Sequence, residues 1–351
     1  MSAVSTPPRP VRRTRRLPSF VPWAVLAGSV VVGVLLSLLS GELTPTGAIL
    51  FGAVVYAIAI TAISASVEGG RWARDRLATT LVTGAFLIAT IPLISLVALV
   101  ATRGSLRFGW RFLNDDMVGI FGAMTEGGVY HAIIGTVYVT GIAAIVAIPL
   151  GILTAVYLVE YAQPGPLKRA ITVLVDVMTG IPSIVAGLFA YTVFVIFVGP
   201  QYKSALIGGV ALALLMTPVV VRSVEEMLRL VPNELREAAY ALGVPKWLTI
   251  VKVVLRTAIA GITTGIMISI ARVIGETAPL LVTVGLVNNV NFDAFDGRIA
   301  TLPVYVFRQY AQGGVSVDRA WAAALTLIII VMLLNLVARL VSKFFSPKGV
   351  R

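Results

Sequence analysis

The chain has 351 residues, of which 58% are hydrophobic and 13% charged, and it carries a formal net charge of +12. A soluble protein of this length has about a quarter charged residues, so the composition excludes a soluble globular enzyme and indicates a polytopic membrane protein. Cysteine is absent and His131 is the single histidine, which rules out disulfides and thiolate metal sites and leaves almost no room for a histidine-built metal site or triad.

Residues 1–19 hold Arg9, Arg12, Arg13, Arg15 and Arg16 with four prolines and no acid, a basic tail suited to anionic lipid. Eight apolar runs follow that are long enough to span a bilayer: 20–40, 47–67, 77–102, 127–159, 170–201, 204–221, 257–287 and 320–338. The first two form an N-terminal hairpin (20–76), and 77–351 forms the remaining unit, with a transmembrane core over 127–342. Asp115 and Asp116 read as a solvated turn, and His131 as an interfacial residue. Eight spans put both termini on one side. With the N-terminal arginines in the cytoplasm, 20 of the 28 Lys and Arg lie inside, seven outside and one, Arg272, within a span. That asymmetry is the one expected of an inner-membrane protein.

Two stretches depart from this apolar background. The first is a polar elbow, 222–256. Within it Pro232 suits a first helical position, Glu234 lies near the positive end of the helix dipole, and Gly243 suits a left-handed helix end. Leu235, Ala238, Ala239 and Leu242 share one face. A second helical run begins after Pro245 and leads into the next span. The charge count places this elbow in the cytoplasm, where small alanines with Arg236 and Glu237 suit it to dock a protein.

The second stretch is 270–280. Arg272 and Glu276 lie about mid-span and four apart, so one helical face brings them together. Each charge in the bilayer interior costs about 2.5–3.5 kcal/mol. The pair either fixes helix register or lines the path of an anion, for which Arg272 offers a permanently charged fork, Thr277 a hydroxyl, and Gly275 and Pro279 a loosened backbone. Gly261 and Gly265 allow close helix packing, within the chain or with a second one. Asp176, beside Gly180 and Pro182, lines the same path or sits at the cytoplasmic edge.

Glu237-Ala238-Ala239 with Gly243 resembles the EAA loop of bacterial ABC importer permeases, although Arg256 stands where that pattern has a proline. With 182–188 and with Gly275-Glu276-Thr277-Ala278-Pro279-Leu280-Leu281, it resembles the permease family of bacterial phosphate importers that carries the label PstA. The resemblance implies an all-α, type I ABC importer permease core with an added N-terminal helix pair. It implies phosphate transport without catalysis by this chain, with Arg236, Glu237, Ala238, Ala239 and Gly243 coupling to an ATPase. The translocation path would hold Arg272, Glu276, Thr277 and Asp176. The partners implied are a PstC-like second permease, a PstB-like ATPase dimer holding ATP and Mg, and a PstS-like phosphate-binding protein. No G-x-x-x-x-G-K-[ST] loop occurs in this sequence, so ATP would bind elsewhere. Two alternatives are an importer of another oxyanion, sulfate or molybdate, and an intramembrane enzyme acting on a lipid phosphate through Asp176, Arg272 and Glu276.

Overall fold

A computed structural model describes residues 16–40, 44–121 and 124–345. Most of the basic tail therefore lies outside the described residues. The described chain is helical, and it falls into two units, one ending at Val97 and the other beginning at Ala98.

In the first unit, α1 (Val21–Leu39) and α2 (Pro45–Val67) form a hairpin. Thr44 caps α2 by accepting a hydrogen bond from the Gly47 N–H at 3.2 Å, and Pro45 fills the first helical position. Small residues let the two backbones touch: a Cβ on Gly33 would lie 2.5 Å from the Ala48 carbonyl oxygen and 2.6 Å from Gly52 N. After α2, Glu68 accepts hydrogen bonds from Ser64 Oγ (2.7 Å), Arg76 Nε (3.2 Å) and the Leu17 N–H (2.8 Å). The Arg76 hydrogen bond, then that of Leu17, hold its carboxyl down at about 2. The long helix α3 (Gly70–Ser105) starts at once.

The second unit continues with α4 (Trp110–Asn114) and α5 (Tyr130–Val156), which is prolonged by a wider π turn over Tyr157–Tyr161. Then come α6 (Pro166–Thr179) and α7 (Ser183–Val198), bent by 108° at their junction, and α8 (Ala205–Arg229). The elbow is α9 (Asn233–Ala241) and α10 (Lys246–Thr249). A π turn over Ile250–Val254 joins α10 to α11 (Leu255–Val273), and α12 (Ala278–Thr283), α13 (Leu302–Gln312) and α14 (Ser316–Phe345) complete the chain. Among the described residues, seven helices are long and apolar enough to cross a membrane, or eight if the bent pair counts as one span.

The central helix is α8. Buried residues make up 67% of its most apolar stretch, against 28% or less in each other span. Its main neighbour α5 turns a stripe of Gly135, Val139, Ala143, Ala147, Gly151 and Ala155 inward, all but Val139 small. A Cβ on Gly151 would stand 2.6 Å from Val220, and one on Gly209 of α8 would stand 2.4 Å from Ile142. The two glycines of α11 face the same helix. Added Cβ atoms on Gly261 and Gly265 would meet Met227 at 2.2 Å and Ser223 at 2.6 Å, so this packing is within the chain.

The interruption of the run 170–201 at Gly180 and Pro182 is a sharp break between α6 and α7. Three expectations change here. The run 257–287 stops at Val273 and resumes as the short α12. The polar segment after it contains α13, started by Pro303 and ended by Gly313 at φ +72°. His131 is buried against Tyr305, with ring centroids 5.4 Å apart, rather than interfacial. Residues 124–126, between α4 and α5, are tied down by Arg319 of α14, which is buried. It donates to Gln309 Oε1 (3.0 Å), Ser316 Oγ (2.7 Å) and the carbonyls of Met124 (2.9 Å) and Glu126 (3.1 Å). Asp116 accepts from the Val118 N–H at 3.0 Å, the turn expected of the acid pair.

Candidate functional site: a polar elbow and a broken membrane helix

The elbow forms for the local reasons the sequence supplies, with one shift: Pro232 is the residue before the first helical turn rather than in it. At the other end, Gly243 lies at φ +73°. Its N–H donates to the Tyr240 carbonyl at 2.9 Å, and the Val244 N–H donates to the Ala239 carbonyl at 3.1 Å. These are the two bonds of a Schellman ending, which a left-handed glycine makes without strain. No atom lies within 4 Å of a Cβ at Gly243, so the constraint there is conformational.

Of the four residues expected on one face, only Ala239 is buried; Leu235, Ala238 and Leu242 are exposed. Leu242 is 83% exposed and Trp247 60%, with Tyr240 and Leu235 beside them in the sequence. The elbow thus presents several large apolar side chains, exposed, on an otherwise polar helix pair. Glu237 is exposed with them. Arg236 points the other way. Its Nη2 lies 2.7 Å from Glu160 Oε1, with side-chain exposures of 13% and 5%, and it also donates to the carbonyls of Leu228 (3.0 Å) and Val231 (2.7 Å). Lys246 stands over the Tyr161 ring at 4.9 Å. Both anchors are on the π turn that ends α5, so the elbow is fastened to the membrane helices through Glu160 and Tyr161.

The second feature is the break after α11. Arg272 occupies the last turn of that helix. The Glu276 N–H donates to the Val273 carbonyl at 3.1 Å, closing the helix before a further turn can form. Thr277 then starts α12. The expected Arg272–Glu276 ion pair is therefore not made: the i, i+4 geometry needs a continuous helix, and Gly275 interrupts it. Among the described residues, no hydrogen bond or ion pair engages either side chain. Arg272 is exposed within this chain, and Glu276 and Thr277 are half-buried. The break is held from the side by α7. A Cβ on Gly187 would come within 2.5 Å of Pro279 Cα, so two interrupted helices meet at this level.

Asp176 is not beside Arg272. It pairs with Arg222, whose Nη1 also donates to Glu225 Oε2 at 2.8 Å, and Arg229 Nη2 donates to Glu225 Oε1 at 2.5 Å. Glu225 is 7% exposed and shared by the two arginines. Since Ser223 packs at the level of Gly265, this network lies about 10 Å along α11 from Arg272, towards the elbow. The Arg222–Glu225–Arg229 cluster has helical spacing and was legible in principle. The Glu160–Arg236 pair joins residues 76 apart and has no sequence signal.

Residues 147–350 match the family described as binding-protein-dependent transport system inner membrane component. Named relatives agree. The phosphate transport system permease protein PstA 1 of Mycobacterium tuberculosis is 48% identical over 272 residues, covering 76% of this chain and 88% of that protein. The PstA protein of Mycobacterium leprae is 49% identical over 267 residues (75% and 86%), and that of Yersinia pestis 37% over 282 (78% and 92%). In fold, the chain is similar to a bacterial alginate ABC transporter solved with its alginate-bound periplasmic protein. The TM-score is 0.55 at 15% identity, covering 79% of this chain and 97% of that one. The broken helices, the elbow and these relatives lead to one assignment: the chain belongs to the family of binding-protein-dependent transport system inner membrane components, as a permease of the PstA type.

Proposed function

We propose that this chain is the permease subunit through which inorganic phosphate crosses the cytoplasmic membrane, driven by an ATPase on another chain. The observation that carries the reading is Arg272: a guanidinium at the end of a broken membrane helix, with neither ion pair nor hydrogen bond among the described residues. A guanidinium takes two phosphate oxygens in parallel hydrogen bonds, and a partner-free one is ready to do so. Glu276, three residues past the helix end, limits the net positive charge, so binding stays weak enough for release. Thr277 adds a hydroxyl to the same turn. Asp176 acts in this account through Arg222, at the inner end of the path.

The elbow faces the cytoplasm, as the excess of Lys and Arg on its side supports. Leu235, Tyr240, Leu242 and Trp247 seat in a groove of a PstB-like ATPase, and Glu237 meets a basic residue there. Closure of the ATPase, which holds ATP and Mg, moves α9. The Arg236–Glu160 pair hands that motion to α5 as a rigid-body change. A PstC-like permease covers the exposed face of Arg272 and completes the path, and a PstS-like protein delivers phosphate from outside. Helices α1 and α2 are an addition to this permease core.

The test is uptake by liposomes holding the complete transporter. Phosphate accumulates with ATP, and Arg272→Gln lowers the flux at least about tenfold while the ATPase remains bound. Accumulation of sulfate or molybdate in place of phosphate would refute the reading, as would an Arg272→Gln transporter with full flux.

A further inference from the structure

Three basic side chains on the side of the second unit opposite the elbow have no acidic partner among the described residues. Lys203 precedes α8, Arg298 lies between α12 and α13, and Arg308 is on α13. Two of them converge over Gly285, which lies at φ +79°. A Cβ there would be 3.3 Å from Lys203 Cδ and 3.3 Å from both Cγ and Cδ of Arg298. None of the three forms an ion pair among the described residues. Burial, and after it the charges of Arg298 and Arg308, push the Lys203 ammonium below its ordinary value. The acids nearest Arg298 in sequence do not answer it: among the described residues neither Asp296 nor Asp293 forms an ion pair, and the Asp293 carboxylate accepts from the N–H groups of Phe295 (2.8 Å) and Asp296 (3.2 Å). Like charges gathered without a counter-ion favour an anion at that point.

The cluster's position identifies the anion. Gly285 lies two residues beyond α12, and the Arg272 break lies just before that helix, which is about 9 Å long. One short element therefore carries a basic group at each end. We propose that Lys203, Arg298 and Arg308 form an outer holding site for free phosphate, from which the ion passes along α12 to Arg272. This rests on the reading that the chain conducts phosphate. An acidic face of a delivering protein has the same charge, but it would not need two stems folded over one glycine at the end of the path.

The experiment uses the complete transporter in liposomes, with radiolabelled inorganic phosphate and its loaded binding protein below saturation. The variant K203Q/R298Q/R308Q lowers uptake about tenfold at low salt, and the deficit shrinks as salt rises. The charge-keeping variant K203R/R298K/R308K keeps uptake well above that of the neutralised one, which separates charge from folding. The loaded binding protein, titrated onto the complex, binds K203Q/R298Q/R308Q with wild-type affinity. Equal uptake by the neutralised and wild-type transporters would overturn the holding site alone. A matching loss of binding-protein affinity would overturn it too, in favour of a protein contact. A wild-type transporter that moved no phosphate would instead overturn the identity of the transported ion.

Discussion

Three arginines show what the structure does with a guanidinium. Arg319 donates to two side chains and two carbonyls, and Arg236 to a buried carboxylate and two carbonyls. Their donors are answered inside the protein, so both are structural. Arg272 has none of this, and the contrast is the reason to assign it a ligand. Removing one side of the Arg236–Glu160 pair leaves a buried charge alone, so Glu160→Gln should cost about 3–5 kcal/mol, read as a lowered Tm of the purified complex. Replacing both partners by leucine should recover most of that stability and still uncouple ATP hydrolysis from uptake, because the hand-over from α9 to α5 is gone. Glu68 gives a pH signature in the first unit. Its carboxyl is depressed, so its contribution is full above the ordinary value of 4.5 and disappears as pH falls through about 2. Hydrogen exchange at the start of α3 should quicken over that window, and Glu68→Gln should abolish the change.

At the scale of elements, the working parts are interruptions. Gly180 and Pro182 split α6 from α7, Gly275 ends α11, and Gly243 turns α9 into α10. Each was visible in the sequence as a residue type, because glycine and proline act locally. Their consequences were less visible. Gly275 and Pro279 read as a loosening of one span, whereas Gly275 ends it, and with it goes the i, i+4 contact between Arg272 and Glu276. The helix α13 was missed because its apolar residues, Leu302, Val304 and Tyr305, are buried by tertiary contacts inside a segment that reads as polar. Gly187 depends on such a contact as well: Gly187→Val should collide with the Pro279 backbone and lower both Tm and uptake. Gly243 differs, since the space around it is open. Gly243→Ala should cost only about 1–2 kcal/mol of local strain. Gly243→Asp adds a charge to the apolar docking surface, and the ATPase should fail to co-purify with the inserted protein.

For the whole molecule, the proposed gate is where α7 and the α11–α12 break meet, and the proposed lever is the elbow fastened to α5. Composition and the apolar runs were enough to see a membrane protein with about eight spans, and the polar stretch 222–256 was enough to see an elbow between two of them. The fastening was out of reach, because Glu160 and Arg236 are distant in sequence and each alone reads as a solvated charge. The same distance hid the outer cluster over Gly285. The absence of cysteine makes the gate directly testable. In the assembled transporter, the thiol of a Thr277→Cys variant should react with a negatively charged, membrane-impermeant thiol reagent, read by mass spectrometry of this chain. Phosphate loaded on the binding protein, with ATP turning over, should slow that reaction. A thiol that stays unmodified in every state, or is modified at one rate with and without phosphate, would contradict an anion path at the broken helix.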